Sequence, residues 1–278
     1  LWRLAAGLAM SALIYGAVTV AIFAAVWLAM ADPDPELGWI DEIIEADTPR
    51  AMLILLATFT GMALGPMAAA RLLHHRPGGT LFGRAPVVLR DFVTAAAVAG
   101  AVLACAVLAW LILNDPVAAL PVGTWAALLP LSLLAVLVQT GAEEVLFRGY
   151  IQQQLAARFR SPVIWAVLPA AVFGLLHYDP ASAGDNAWLM VGAAGLFGLL
   201  AADLTARTGS LGAAWGFHFA NNTVALMLIA TEGTLTGLAL FRTPYDVSDT
   251  EAIRASIPVD LAVMLLIWLL LRRILGRR

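Results

Sequence analysis

Three short stretches combine residue types that can do acid–base chemistry. In "GAEEVLFRGY" (141–150), Glu143, Glu144 and Arg148 follow a long uncharged run. In "FGLLH", Phe173 and His177 are four residues apart, and in "HFANN" the same spacing separates His218 from Asn222. On a helix, four-residue spacing places both members of a pair on one face. Glu144 precedes Arg148, the favourable order for an ion pair. Glu143 is turned by about 100° from Glu144, which predicts that it faces the bundle interior without a local partner. A carboxylate and an imidazole around one water make a hydrolytic centre: the carboxylate takes a proton while the water attacks a carbonyl. A second His with an Asn amide can donate hydrogen bonds to the oxyanion that develops. No Ser or Cys stands in a nucleophile motif near these residues. Glu143, His177 and His218 are also types that zinc accepts, although no HExxH supports a zinc site.

These residues sit in a chain built for lipid. Of its 278 residues, 62% are hydrophobic and only 13% charged, against roughly half apolar and a quarter charged in soluble domains. Mean hydropathy is +0.87. A helix needs about 20 apolar residues to cross a bilayer, and eight such stretches are read at 4–31, 51–73, 92–113, 124–147, 162–178, 186–205, 211–231 and 257–275. No internal repeat separates them, so the expectation is an all-α polytopic bundle forming a single membrane domain over 1–278. Its first apolar stretch is too long for a signal-peptide core and lacks a small-residue cleavage pattern behind it. The one Cys, Cys105, gives no disulfide framework and reads as a packing residue.

All sixteen basic residues are Arg. They gather before span one and in alternate loops, at Arg71, Arg76, Arg84, Arg90, Arg158, Arg160, Arg207, Arg272, Arg273, Arg277 and Arg278. The stretch 31–47 carries seven acids and no base. The positive-inside rule then predicts cytoplasmic termini, with Arg50, Arg242 and Arg254 as minor exceptions. Nothing in this charge pattern suggests a nucleic-acid partner. The "HHRPGGTLFGRAP" loop (74–86) reads as a solvated basic loop, and Asp203 with Arg207 as a structural pair.

A hairpin argument relates the first two motifs. Spans four and five meet near Arg160 and Ser161, and Glu143 and His177 lie nearly equal distances from that turn. They should be level and able to share a water, provided that "QQQLAARFR" (152–160) projects beyond the membrane.

The ordered motifs EExxxR, FxxxH and HxxxN resemble those of the CAAX-protease and bacteriocin-processing family of intramembrane endopeptidases, whose best-known branch is the type II CAAX prenyl endopeptidase. The resemblance covers about residues 124–231. It implies a glutamate-type endopeptidase without a cofactor, in which Glu143 and His177 activate the water and His218 and Asn222 stabilise the oxyanion. Glu144, Arg148 and Phe173 take supporting roles. It further implies a membrane-associated peptide or protein as substrate, and the Arg-only, Ala-rich composition fits a bacterial inner-membrane protein. Two other readings use the same residues: a non-catalytic membrane binding or immunity protein, and a proton-coupled transporter.

Overall fold

The structure is a computed structural model that describes residues 1–30 and 38–276. Arg277, Arg278 and the first part of the acidic 31–47 stretch lie outside the described residues. The helices are α1 (Trp2–Ala29), α2 (Gly38–Glu45), α3 (Pro49–Leu73), α4 (Ala85–Leu113), α5 (Val122–Glu144), α6 (Gln153–Ala156), α7 (Leu168–Leu175), α8 (Pro180–Ala183), α9 (Ala187–Thr208), α10 (Gly212–Thr223) and α11 (Thr250–Leu275). Wider π-helical turns occupy Val145–Gln152, Val163–Val167 and Val224–Leu228.

Six helical stretches among the described residues are long and apolar enough to cross a membrane: Trp2–Ala29, Pro49–Leu73, Ala85–Leu113, Val122–Ala156, Pro180–Thr208 and Thr250–Leu275. The fifth and seventh expected spans are shorter helices, Val163–Leu175 and α10 with its π turn. The bundle is therefore all-α and polytopic, with eight as an approximate count. The chain is an integral membrane protein. Val122–Ala156 has 35 residues and is about 52 Å long at 1.5 Å per residue. That exceeds a hydrocarbon core of about 30 Å, which leaves length for the projection that the hairpin argument requires.

One departure concerns the end of span seven. The run at 224–231 is apolar enough for a span, but after Leu228 it turns into strand β2 (Ile229–Glu232). This strand pairs in parallel with β3 (Phe241–Asp246), and β3 pairs antiparallel with β1 (Val117–Ala118). Short apolar runs do not distinguish strand from helix by periodicity. Cys105 is a second departure, since it is exposed on α4 rather than packed.

Small residues let the helices approach closely. A Cβ on Gly216 of α10 would collide with the Phe92 carbonyl of α4, and one on Gly174 of α7 would lie 2.6 Å from the Val191 carbonyl of α9. Close contact through small residues replaces the hydrophobic drive that lipid cannot supply. The largest buried cluster joins Phe147, Phe173, Phe197 and Phe217 with Ile267 and Leu271 of α11. Asp203 receives Arg207 at 3.4 Å, Arg272 at 3.3 Å and the Trp268 indole at 2.9 Å, which ties α9 to α11 and fits the structural reading of that pair.

Candidate active site

Glu143 and Glu144 end α5, and Arg148 lies in the π turn that follows. Such turns recur at functional sites because they re-aim side chains within a continuous helix. Arg148 Nη1 donates to Glu144 Oε1 at 3.0 Å, and Nη2 donates to the Gly198 carbonyl at 3.3 Å. Both charges are buried, with Glu144 0% and Arg148 2% exposed. The guanidinium also stacks 4.7 Å from the Phe173 ring centre, with Phe147 and Phe197 farther out. A buried guanidinium is tolerated where an acid and aromatic faces replace its hydration.

Glu143 is buried but not alone, which corrects the sequence reading. Gln139, one turn earlier on α5, donates from Nε2 to Glu143 Oε1 at 2.7 Å. His218 Nε2 lies 3.5 Å from Glu143 Oε2. The other His218 nitrogen, Nδ1, is 2.8 Å from Glu144 Oε1. His218 thus stands between the two carboxylates rather than apart from them. Asn222, one turn along α10, donates from Nδ2 to Gln139 Oε1 at 3.0 Å. The result is a continuous polar chain from Asn222 through Gln139, Glu143, His218 and Glu144 to Arg148. Glu143 Oε2 and Glu144 Oε2 are buried and have no hydrogen-bond partner among the described residues.

His177 follows the last turn of α7 and is exposed. Its Nδ1 is 2.8 Å from the Phe173 carbonyl. A carbonyl only accepts, so Nδ1 carries the proton and a neutral ring leaves Nε2 as the acceptor. The Phe173 ring lies 4.8 Å from the His177 ring and 6.1 Å from the His218 ring. Phe173 therefore links the two imidazoles, although His177 makes no hydrogen bond to Glu143 among the described residues. Asp179 caps α8 just beyond His177. Hydrogen bonds from the Ser182 hydroxyl, then from backbone amides, hold its carboxyl below the usual range.

Glu143, Glu144, Arg148, His218 and Asn222 are joined by contacts between α5, its π turn and α10, whereas His177, beyond the end of α7, is connected to them only through Phe173. Gln139 was not anticipated, although it is a polar residue four positions before Glu143 in an otherwise apolar run. The α9 contributions, Phe197 and the Gly198 carbonyl, carry no side-chain signature that sequence could reveal. Among the described residues, no group of three or more His, Cys, Asp or Glu is arranged to hold a metal ion. The ring nitrogens of His218 are directed at Glu143 and Glu144, and Nδ1 of His177 is directed at its own helix.

Comparison with known proteins bears on the same segment. Residues 124–224 match the family model described as Type II CAAX prenyl endopeptidase Rce1-like. An uncharacterized protein of Bacillus subtilis (strain 168), YyaK, is 31% identical over 115 residues, or 40% of this chain. The chain spans 37% of that relative's length. No solved structure matches. The matched stretch carries all three motifs, so the similarity to the Rce1-like family falls on the segment where EExxxR, FxxxH and HxxxN lie.

Proposed function

We propose that the protein is an intramembrane endopeptidase that hydrolyses a peptide bond of a membrane-associated substrate, with Glu143 as general base. The observation that carries this reading is the buried polar chain, which holds Glu143 by one oxygen and leaves Oε2 directed toward His218. In the proposed step, Glu143 takes a proton from a water that His177 orients through Nε2. The water oxygen bonds to the substrate carbonyl carbon, and the carbonyl becomes an oxyanion. His218 Nε2–H and the second Asn222 N–H stabilise that oxyanion. The proton on Glu143 then passes to the leaving amine as the C–N bond breaks, giving a new carboxyl and a new amino terminus.

The position of His218 supports this role: its Nδ1 faces Glu144 Oε1 and so donates, which holds the ring with Nε2 on the Glu143 side. Glu144 and Arg148 act by holding His218, and Phe173 by packing between the rings. No cofactor enters this reading. The arginine distribution supports cytoplasmic termini in a bacterial inner membrane.

The test is cleavage by purified protein in detergent, using membrane-anchored peptides with and without a prenyl group. Wild type cleaves, Glu143→Gln does not, and a chelator has no effect. Chelator-sensitive cleavage restored by zinc would move Glu143, His177 and His218 to ligand roles. An intact peptide pool with wild type would favour the binding or immunity protein, and ion-coupled uptake into proteoliposomes would favour the transporter. Cleavage that survives Glu143→Gln would overturn the assignment.

A further inference from the structure

A second polar feature lies at the basic end of the bundle. A cavity of about 310 Å³ opens where the start of α1, the end of α3 and the end of the long α5–α6 helix meet. Arg3, His74, Gln154 and Arg158 line it with the apolar Trp2 and Leu4. No acid is present. The sequence contains none from 1 to 31, from 48 to 90 or from 145 to 178. Among the described residues neither Arg3 nor Arg158 has an ion-pair partner. His74 is held below its ordinary value by burial, and then by the positive charges of Arg3 and Arg76 and by His75. The cavity therefore carries concentrated, uncompensated positive charge.

Guanidinium groups suit tetrahedral phosphate because their fork of N–H donors matches two oxygens at once. Gln154 offers a further amide donor. Trp2 is 71% exposed beside the cavity, and outward-facing Trp is typical of the membrane–water interface. A phosphate there would keep its acyl chains along the apolar surface of α1. Basic pockets between membrane helices take anionic headgroups in this manner.

We propose that this cavity binds the phosphate of an anionic phospholipid, with Arg3 and Arg158 as its principal ligands. The site is connected to the catalytic helix. His74 Nε2 is 2.9 Å from Tyr150 Oη, which donates to the Arg3 carbonyl at 3.3 Å. Tyr150 is fully buried, two residues after Arg148. The cavity lining is thus hydrogen-bonded to the turn that carries Arg148.

The test is native mass spectrometry of the full chain in mild detergent, titrated with phosphatidylglycerol, phosphatidylcholine and inorganic phosphate. Wild type retains phosphatidylglycerol in preference to phosphatidylcholine. Arg3→Gln with Arg158→Gln weakens that retention by about tenfold, while Arg84→Gln with Arg160→Gln, on basic positions outside the cavity, leaves it unchanged. Arg158→Gln alone gives a smaller loss in the same direction and keeps the test available if the double variant folds poorly. Equal retention in the cavity variants, or an equal loss in the control pair, would overturn the proposal. Displacement of the lipid by millimolar inorganic phosphate would identify a free-phosphate site and overturn the lipid assignment.

Discussion

Six side chains, Asn222, Gln139, Glu143, His218, Glu144 and Arg148, form one chain of contacts, so each can be tested by what it leaves unpaired. Arg148 compensates Glu144 at 3.0 Å with both charges buried. Replacing it with Met should cost about 3–5 kcal/mol because Glu144 would remain as an uncompensated charge. Adding Glu144→Gln should recover part of that loss, since coupled sites are not additive. Thermal unfolding of the two singles and the double in detergent measures this; strict additivity would show that the pair is not coupled. Gln139→Leu strands Glu143 Oε1 and Asn222 Nδ2. It should lower stability by about 1–3 kcal/mol for each group left without a partner. Asn222→Ala, by contrast, should lower kcat about 10²–10³-fold with little change in KM, as expected for an oxyanion donor. A rise in KM at unchanged kcat would instead indicate a ground-state contact. At this scale the sequence was informative in part. Spacing of four brought Glu144 to Arg148, but periodicity describes one helix at a time. The contact of His218 with both carboxylates arises between helices and lies beyond that rule, whereas Gln139 stands four positions before Glu143 on the same helix and was within its reach.

The elements place those residues through close approach. Gly216 lies two residues before His218 and permits α10 to rest on α4. Gly216→Val would force the helices apart and carry His218 away from Glu143 and Glu144. The expected cost is about 1–3 kcal/mol of overpacking, together with loss of cleavage. Gly100→Val is the control, because a Cβ there has no neighbour within 4 Å, and it should leave both stability and cleavage near wild type. Equal effects of the two substitutions would count against a positioning role for the α4–α10 contact. Long uncharged runs made the six long helices readable. The short α7 and the turn of 229–246 into strands were less so, because residues such as Ile229 and Ala230 are equally apolar in a helix or a strand. The π turn at Val145–Gln152 has no residue signature in the sequence comparable to the Gly and Pro that mark ordinary turns.

At the scale of the molecule, two networks mark opposite ends of the bundle. The β1–β3–β2 sheet gathers the loop before α5, the exit from α10 and the approach to α11 at one end, and Asn186 joins it by donating to the Val247 carbonyl at 2.9 Å. At the other end the Leu211 amide donates to the Phe82 carbonyl at 2.9 Å, and Gln153 Nε2 donates to the Leu81 carbonyl at 2.9 Å. The sheet end holds Asp115, Glu232, Asp246, Asp249 and Glu251, whereas Arg76, Arg84, Arg158, Arg160 and Arg207 gather at the other. Cytoplasmic Arg-rich loops would set the orientation in the membrane and would also put the lipid-binding cavity against the anionic cytoplasmic leaflet. In a Cys105→Ala background, Ala157→Cys and Ser248→Cys report the two ends separately. A membrane-impermeant maleimide added to intact cells should label position 248 and spare position 157, with the pattern reversed in inverted vesicles. Labelling of position 157 from outside would turn the molecule over, place the basic cavity away from the cytoplasm, and require substrates to reach Glu143 from the opposite face.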